Sequence, residues 1–187
     1  SLDINKINLC GYSMGGRLAI AFAARYPEKI NRLIIESASL GINDNKAKKQ
    51  RFKEDLELSQ LIESDLKKFV QRWENNPLFA KQKERNKVEF LKQRQERNSH
   101  DPIHLSKAFI TFSQGAIKSY SSKFSEFNFP ISIINGEEDS KYLQIGAAMC
   151  QLNKSCSQYI LKAGHNVHLE NPKDFANTLE KVLNSNL

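Results

Sequence analysis

The segment Gly11-Tyr12-Ser13-Met14-Gly15 constrains this chain more than any other, because of what lies on either side of it. Before it runs Ile7-Asn8-Leu9-Cys10, a short apolar stretch that reads as a strand. After it, Arg17 to Arg25 is rich in Ala and Leu and reads as a helix. Small residues two before and two after the serine let the chain turn sharply enough to hold its side chain proud of a sheet. The helix that follows points its N-terminus at that hydroxyl, and the backbone N–H of Met14 is placed to stabilise a developing oxyanion. A glycine turn that served packing alone would carry the same letters. The strand–turn–helix setting is what makes the pattern informative.

The rest of the chain fits a parallel sheet interrupted by a helical insertion. Tyr26-Pro27 ends the first helix, since the residue before proline is pushed out of the α region. Leu33 to Ser37 reads as a second buried strand, giving a βαβ rhythm. From Asn43 to about Tyr120 no strand signal occurs. Phe52, Leu56, Ile62, Leu66, Phe69 and Trp73 recur near multiples of 3.6 and predict one amphipathic helix, broken at Pro77. A charged helix is expected over Lys83 to Arg97, and a third carries Leu105, Ala108, Phe109 and Phe112. The sheet resumes with Ile131 to Asn135, closed by Gly136. A helix over Lys141 to Leu152, a strand over Gln158 to Leu161 and a last helix from near Pro172 follow, the last burying Phe175, Leu179 and Val182. The expected organisation is an α/β core from residues 1–42 and 121–187 with a helical cap inserted at 43–120.

A serine is a poor nucleophile or base near neutral pH until a histidine, oriented by an acid, activates it. Asp139 follows the strand ending at Gly136, and His165 follows the last strand, with Gly164 before it. Both then lie at the carboxyl ends of strands, on the same sheet edge as Ser13, in the chain order Ser, Asp, His of the α/β-hydrolase fold. Glu137 and Glu138 are adjacent acids that could take the same role; Asp139 is preferred. His165 and His168 are three residues apart, but no third ligand accompanies them, so no metal or cofactor is expected. His100 and His104, in the helical stretch, read as surface or packing residues.

Charge and cysteines narrow the remaining classes. The net charge of +7 could suit nucleic acid, but fifteen Lys and Arg against ten Asp and Glu lie between residues 43 and 100. That stretch therefore holds +5 of the +7, with the two signs interleaved at helical spacing as on a solvated face. No aromatic-interleaved basic stripe and no glycine-rich phosphate loop appears, which argues against a nucleic-acid partner. No apolar run approaches the roughly 20 residues that span a bilayer, so no stable membrane insertion is expected. The opening residues do not resemble a secretory signal. Three cysteines, Cys10, Cys150 and Cys156, form no CxxC pair, which suggests reduced thiols and a cytoplasmic setting. Cys10 reads as a buried small hydrophobe. Nothing in the sequence sets an oligomeric state.

Several segments together carry a resemblance to a family. They are Gly11 to Arg17, Arg51 with Asp55, Trp73-Glu74-Asn75-Asn76-Pro77-Leu78-Phe79, Gly136 to Tyr142, and Ala163-Gly164-His165-Asn166-Val167-His168-Leu169-Glu170. This set resembles the 2-succinyl-6-hydroxy-2,4-cyclohexadiene-1-carboxylate (SHCHC) synthases, or MenH enzymes, of menaquinone and phylloquinone biosynthesis. The resemblance implies a lyase that eliminates pyruvate from 2-succinyl-5-enolpyruvyl-6-hydroxy-3-cyclohexene-1-carboxylate. It implies that Ser13, activated by His165, removes a proton from the substrate ring system, with Asp139 fixing the imidazole. A substrate with several carboxylates suits arginine forks. Arg17, one turn past Ser13, is the first candidate, against an ordinary surface arginine; Arg51 follows, though it also fits a solvated basic face, and Arg97 is a weaker candidate. Trp73 is either core or pocket wall, and Tyr12 lines the site by the same resemblance.

The sequence also departs from the family. Ser113-Gln114-Gly115-Ala116 stands where members carry Gly-Thr-Gly-Gln, so a polar substrate contact is expected to be missing or differently supplied. The chain starts directly before the nucleophile strand, so it is expected to be an N-terminally truncated fragment. The second oxyanion donor would lie outside it, and it is expected to be inactive in isolation. The alternative activity is hydrolysis of an ester, thioester or C–C bond by the same triad.

Overall fold

The computed structural model describes residues 5–79 and 82–185. They divide into two compact units, Ser1–Leu40 with Tyr120–Leu187, and Gly41–Ser119, each taken by itself below. In chain order the first unit opens with β1 (Ile7–Tyr12), α1 (Met14–Arg25) and β2 (Ile30–Glu36). The second unit contains α2 (Asn45–Ser64), α3 (Leu66–Glu74), α4 (Gln82–Arg85), α5 (Lys87–Ser99) and α6 (Pro102–Thr111). The first unit then continues with α7 (Ser121–Ser125), β3 (Ile131–Gly136), α8 (Ser140–Leu152), β4 (Cys156–Leu161), α9 (Val167–Glu170) and α10 (Pro172–Asn184).

The four strands are all parallel, in the order β1-β2-β3-β4. The central two, INRLIIE and ISIING, are almost wholly buried, as strands covered on both faces must be. Side-chain alternation divides them between two cores. Leu33, Ile35, Ile131 and Ile133 pack with Ile20 and Ala23 of α1 and Met149 of α8. Ile34 and Ile134 point the other way, to Val167 of α9 and Val182 of α10. The helix α7 was not legible in the sequence; it carries the fully buried Phe124, whose carbonyl accepts a hydrogen bond from Asn153 at 2.6 Å.

The long helix expected across Phe52 to Trp73 is two helices. Asp65 breaks it: its carboxylate accepts the N–H of Lys68 at 2.9 Å and so caps α3 as α2 ends. Asn86 divides the next helix in the same way, accepting from Glu89 N–H at 3.2 Å and separating α4 from α5. The capping preference of Asp and Asn outweighed the apolar periodicity on which the sequence reading relied. Within this unit Ile62, Phe69 and Val70 form the buried cluster, with Leu105 and Phe109 packed against it.

The expectation for the cysteines needs correction. Cys150 and Cys156 form a disulfide that joins α8 to β4, their Cα atoms 4.8 Å apart. The chain returns on itself through Asn153, whose side chain accepts the N–H of Ser155 at 2.8 Å, and this turn brings the two thiols together. Only Cys10 is free, and it is exposed rather than buried because it lies on β1 at the end of the strand order. Even so, partial desolvation, reinforced by the carboxylate of Glu36, pushes its thiol up to about 11. Among the described residues no helix is long and apolar enough to cross a membrane.

Candidate active site

Ser13 sits between β1 and α1 with φ 49° and ψ −111°, a left-handed backbone that a non-glycine residue adopts only when its surroundings hold it there. Two contacts do so. The N–H of Ser13 donates to the carbonyl of Glu36 at 2.8 Å, and its own carbonyl accepts the N–H of Arg17 at 3.1 Å. Glycines allow the turn, but not the pair named in the sequence reading. A Cβ on Gly11 would lie 2.5 Å from the Gly15 carbonyl oxygen, and one on Gly16 would lie 2.6 Å from the Ala38 Cβ. A Cβ on Gly15 would meet nothing within 4 Å. The close approaches that require glycine are therefore at Gly11, where β1 meets the start of α1, and at Gly16, where α1 meets the segment after β2.

A second close approach brings the other two side chains together. The Gly136 position lies so near the backbone of Ala163 and Gly164 that a Cβ there would be 2.0 Å from the Gly164 oxygen. Glu138 N–H donates to the Ala163 carbonyl at 3.1 Å across the same gap. The loops after β3 and β4 are thus held in contact. Asp139 is buried at the start of α8, while Glu137 and Glu138 are exposed. One oxygen of Asp139 accepts the N–H of Tyr142 at 3.3 Å and caps α8; the other lies 2.6 Å from His165 Nδ1. The His165 ring is 1% exposed, and its Nε2 lies 3.3 Å from Ser13 Oγ. Three side chains from three loops form one hydrogen-bonded line, at a spacing compatible with proton relay.

Met14 is the first residue of α1, so its N–H is among the four that a helix cannot satisfy internally. Tyr12 ends β1 with its ring 5.4 Å from that of His165 and 5.1 Å from that of His168. Arg17 is buried on α1, at 8% exposure. His168 pairs with Glu36: its Nδ1 lies 2.8 Å from Glu36 Oε2, and its N–H donates to Glu36 Oε1 at 3.0 Å. No metal-competent group of three His, Cys, Asp or Glu residues occurs among the described residues. The sequence reading missed this Glu36–His168 pair. A signal was present, since a glutamate closing an apolar strand must find a partner when buried.

The remaining expected substrate residues belong to the helical unit, where their own contacts are clear. Arg51 Nε donates to both oxygens of Asp55 at 2.9 Å, and the buried Asp55 also accepts from Ser113 Oγ at 2.7 Å. The Ser113-Gln114-Gly115-Ala116 segment thus supports Arg51 through Asp55. Arg97 donates to Glu74 at 3.1 Å and to Gln93 at 2.9 Å, and Arg94 joins the same buried Glu74 at 2.6 Å. Trp73 packs among Phe69, Phe79 and Phe109, with ring centroids 5.5–5.8 Å away.

With this geometry established, comparison with known proteins assigns the chain. Residues 1–172 match the family model described as alpha/beta hydrolase fold. A protein of Bacillus subtilis, provisionally named 2-succinyl-6-hydroxy-2,4-cyclohexadiene-1-carboxylate synthase, is 34% identical over 98% of this chain and 68% of its own length. The chain belongs to the SHCHC synthase family of α/β hydrolases. The solved structure of MenH from S. aureus superposes with a TM-score of 0.90 at 31% identity, covering 95% of this chain and 68% of that one. The chloroplastic protein PHYLLO of Arabidopsis thaliana is 31% identical over 95% of this chain, which corresponds to 11% of PHYLLO. The chain thus spans about two thirds of the Bacillus and Staphylococcus relatives.

Proposed function

We propose that this protein eliminates pyruvate from 2-succinyl-5-enolpyruvyl-6-hydroxy-3-cyclohexene-1-carboxylate to give SHCHC, a lyase step of menaquinone or phylloquinone biosynthesis. The observation that carries the reading is the Ser13–His165–Asp139 line, with 3.3 Å and 2.6 Å between successive polar atoms, in a chain of this family. His165 Nε2 takes the hydroxyl proton as Ser13 Oγ removes a proton from the substrate ring system. The electron pair of the broken C–H bond moves through the ring, and the C–O bond to the enolpyruvyl group breaks. The departing enolate oxygen takes the proton from His165 Nε2, which restores the neutral imidazole, and the enolpyruvate tautomerises to pyruvate. Asp139 holds the proton on Nδ1, so that Nε2 faces the serine as an acceptor, and it stabilises the imidazolium that forms. The Met14 N–H and the N-terminus of α1 stabilise negative charge developing beside Ser13.

In this reading the buried Arg17 binds a substrate carboxylate and Tyr12 lines the pocket. Arg51, pre-oriented by Asp55, and Trp73 keep the carboxylate-binding and apolar roles that the family resemblance implies for them. Arg97 is assigned a weaker share, because both of its terminal nitrogens already serve Glu74 and Gln93. In the sequence, the helical unit is an insertion between the two parts of the α/β core. The substrate is a small multi-carboxylate molecule. A cytoplasmic setting is kept as part of the pathway reading, although the Cys150–Cys156 disulfide removes the reduced-thiol argument for it.

Mass spectrometry of the protein with its substrate and with model esters separates elimination from hydrolysis. Pyruvate released with no adduct on Ser13 is the expected result. An acyl group accumulating on Ser13 during ester turnover would replace the lyase with a hydrolase.

A further inference from the structure

The triad accounts for the side chain of His165 but not for what holds the backbone that carries it. His165 lies in the loop after β4, between Gly164 and Asn166, and both of those residues donate their backbone N–H to one carboxylate. Gly164 N–H bonds Glu170 Oε2 at 2.8 Å, and Asn166 N–H bonds Glu170 Oε1 at 3.3 Å. Each oxygen of Glu170 thus takes one flank of the catalytic histidine. The arrangement is local. The single turn α9 runs from Val167 to Glu170, with Glu170 N–H on the Asn166 carbonyl at 2.9 Å, and it folds the glutamate back over the loop. Glycine at 164 makes room for it: a Cβ there would lie 2.9 Å from Oε1 and 3.0 Å from Oε2.

We infer that Glu170 is a positioning residue for His165, clamping the backbone on both sides of the imidazole so that Nε2 stays within relay distance of Ser13. The inference rests on the triad reading above and adds a residue that acts through the backbone on either side of the ring. Charge-assisted bonds from backbone N–H to carboxylate are stronger than neutral ones and restrict the loop in two places at once. Loss of that restraint costs alignment, and a misplacement of about 1 Å at a reacting group lowers rates by about a hundredfold. The Asp139 contact fixes one end of the imidazole; the Glu170 clamp fixes the Cα from which the ring projects. Both are needed because a ring tethered only at Nδ1 still pivots about that bond.

The test uses a fluorophosphonate probe, which reports activation of Ser13 whatever the natural substrate. Ser13 Oγ bonds to phosphorus as the P–F bond breaks, the hydroxyl proton passes to His165 Nε2, and fluoride leaves. Labelling kinetics across probe concentrations give a maximal rate and a half-saturating concentration for the full-length wild type and for Glu170→Ala, Glu170→Gln and Gly164→Ala in the same full-length protein. Positioning predicts that Glu170→Ala lowers the maximal rate about tenfold to a hundredfold, with half-saturation changed less than about twofold. Glu170→Gln, which keeps one acceptor oxygen, should recover part of the loss. Gly164→Ala displaces only the far end of a flexible side chain, so it should fold and should reproduce the Glu170→Ala defect. A maximal rate unchanged in Glu170→Ala overturns the inference, as does a loss matched by an equal rise in half-saturation. If the wild type labels no faster than Ser13→Ala, the triad reading itself fails and the clamp with it.

Discussion

Replacing Asp139 by asparagine separates the two roles that one carboxylate plays. One oxygen caps α8 through Tyr142 N–H at 3.3 Å, and the other faces His165 Nδ1 at 2.6 Å. Asparagine caps helices as well as aspartate does, so the fold should survive with an unfolding midpoint close to wild type. If the amide oxygen keeps the cap, its NH2 is turned toward Nδ1. That contact is favourable only when Nδ1 is unprotonated, which places the ring proton on Nε2, facing Ser13. The imidazole then offers the serine a donor where an acceptor is required, and the imidazolium loses its buried counter-charge. The corresponding exchange in a serine protease triad lowers kcat by about ten thousandfold, equivalent to about 5.5 kcal/mol of barrier. A loss of about a thousandfold or more in pyruvate release is expected here, with KM changed little. Steady-state kinetics beside a urea unfolding curve measure both. A well-folded Asp139→Asn variant retaining more than about a tenth of wild-type turnover would refute the tautomer argument.

Three further outcomes follow from the same coordinates. Gly16→Ala puts a methyl 2.6 Å from the Ala38 Cβ and should destabilise by about 1–3 kcal/mol, whereas Gly15→Ala meets open space and should unfold no earlier than wild type in urea. Arg97→Ala should cost about 1 kcal/mol of stability by releasing Glu74, and it should raise KM less than Arg17→Ala does; the reverse order in kinetics would reassign the two arginines. Cys10, with its thiol pushed up to about 11, should be alkylated at pH 7.5 about a hundredfold more slowly than an ordinary thiol, the rate rising as pH approaches 11. Iodoacetamide kinetics followed by mass check the last of these, and a rate already at its plateau by pH 8 would contradict it.

The parts legible in the sequence were those fixed by short-range pattern. Runs dominated by branched apolar residues, such as Leu33-Ile34-Ile35 and Ile131 to Ile134, named the central strands because burial on both faces favours such residues on both. Gly11 to Gly15 named the nucleophile turn because the backbone geometry there is local. What escaped was decided by neighbours distant in sequence. Gly16 rather than Gly15 is the glycine that α1 requires, chiefly because Ala38, distant in sequence, packs against it. Glu36 and His168 are 132 residues apart, and their pairing depends on β2 ending beside α9. Cys150 and Cys156 fit no common spacing; the turn through Asn153 joins them. The breaks at Asp65 and Asn86 were visible letters that the periodicity argument overrode. Arg97 shows the limit of reading charge alone, since its partner Glu74, on α3, comes from the fold of the helical unit, while Gln93 is one turn back on α5.

Release of pyruvate from the cyclohexene substrate, followed by a coupled dehydrogenase for the full-length wild type and full-length Ser13→Ala side by side, addresses the account at its centre. A hydroxyl that must pass its proton to His165 before it can act predicts turnover by the wild type and a loss of at least about a thousandfold in the variant. Equal pyruvate production by both proteins would mean that the aligned serine, histidine and aspartate are not the machinery of the reaction.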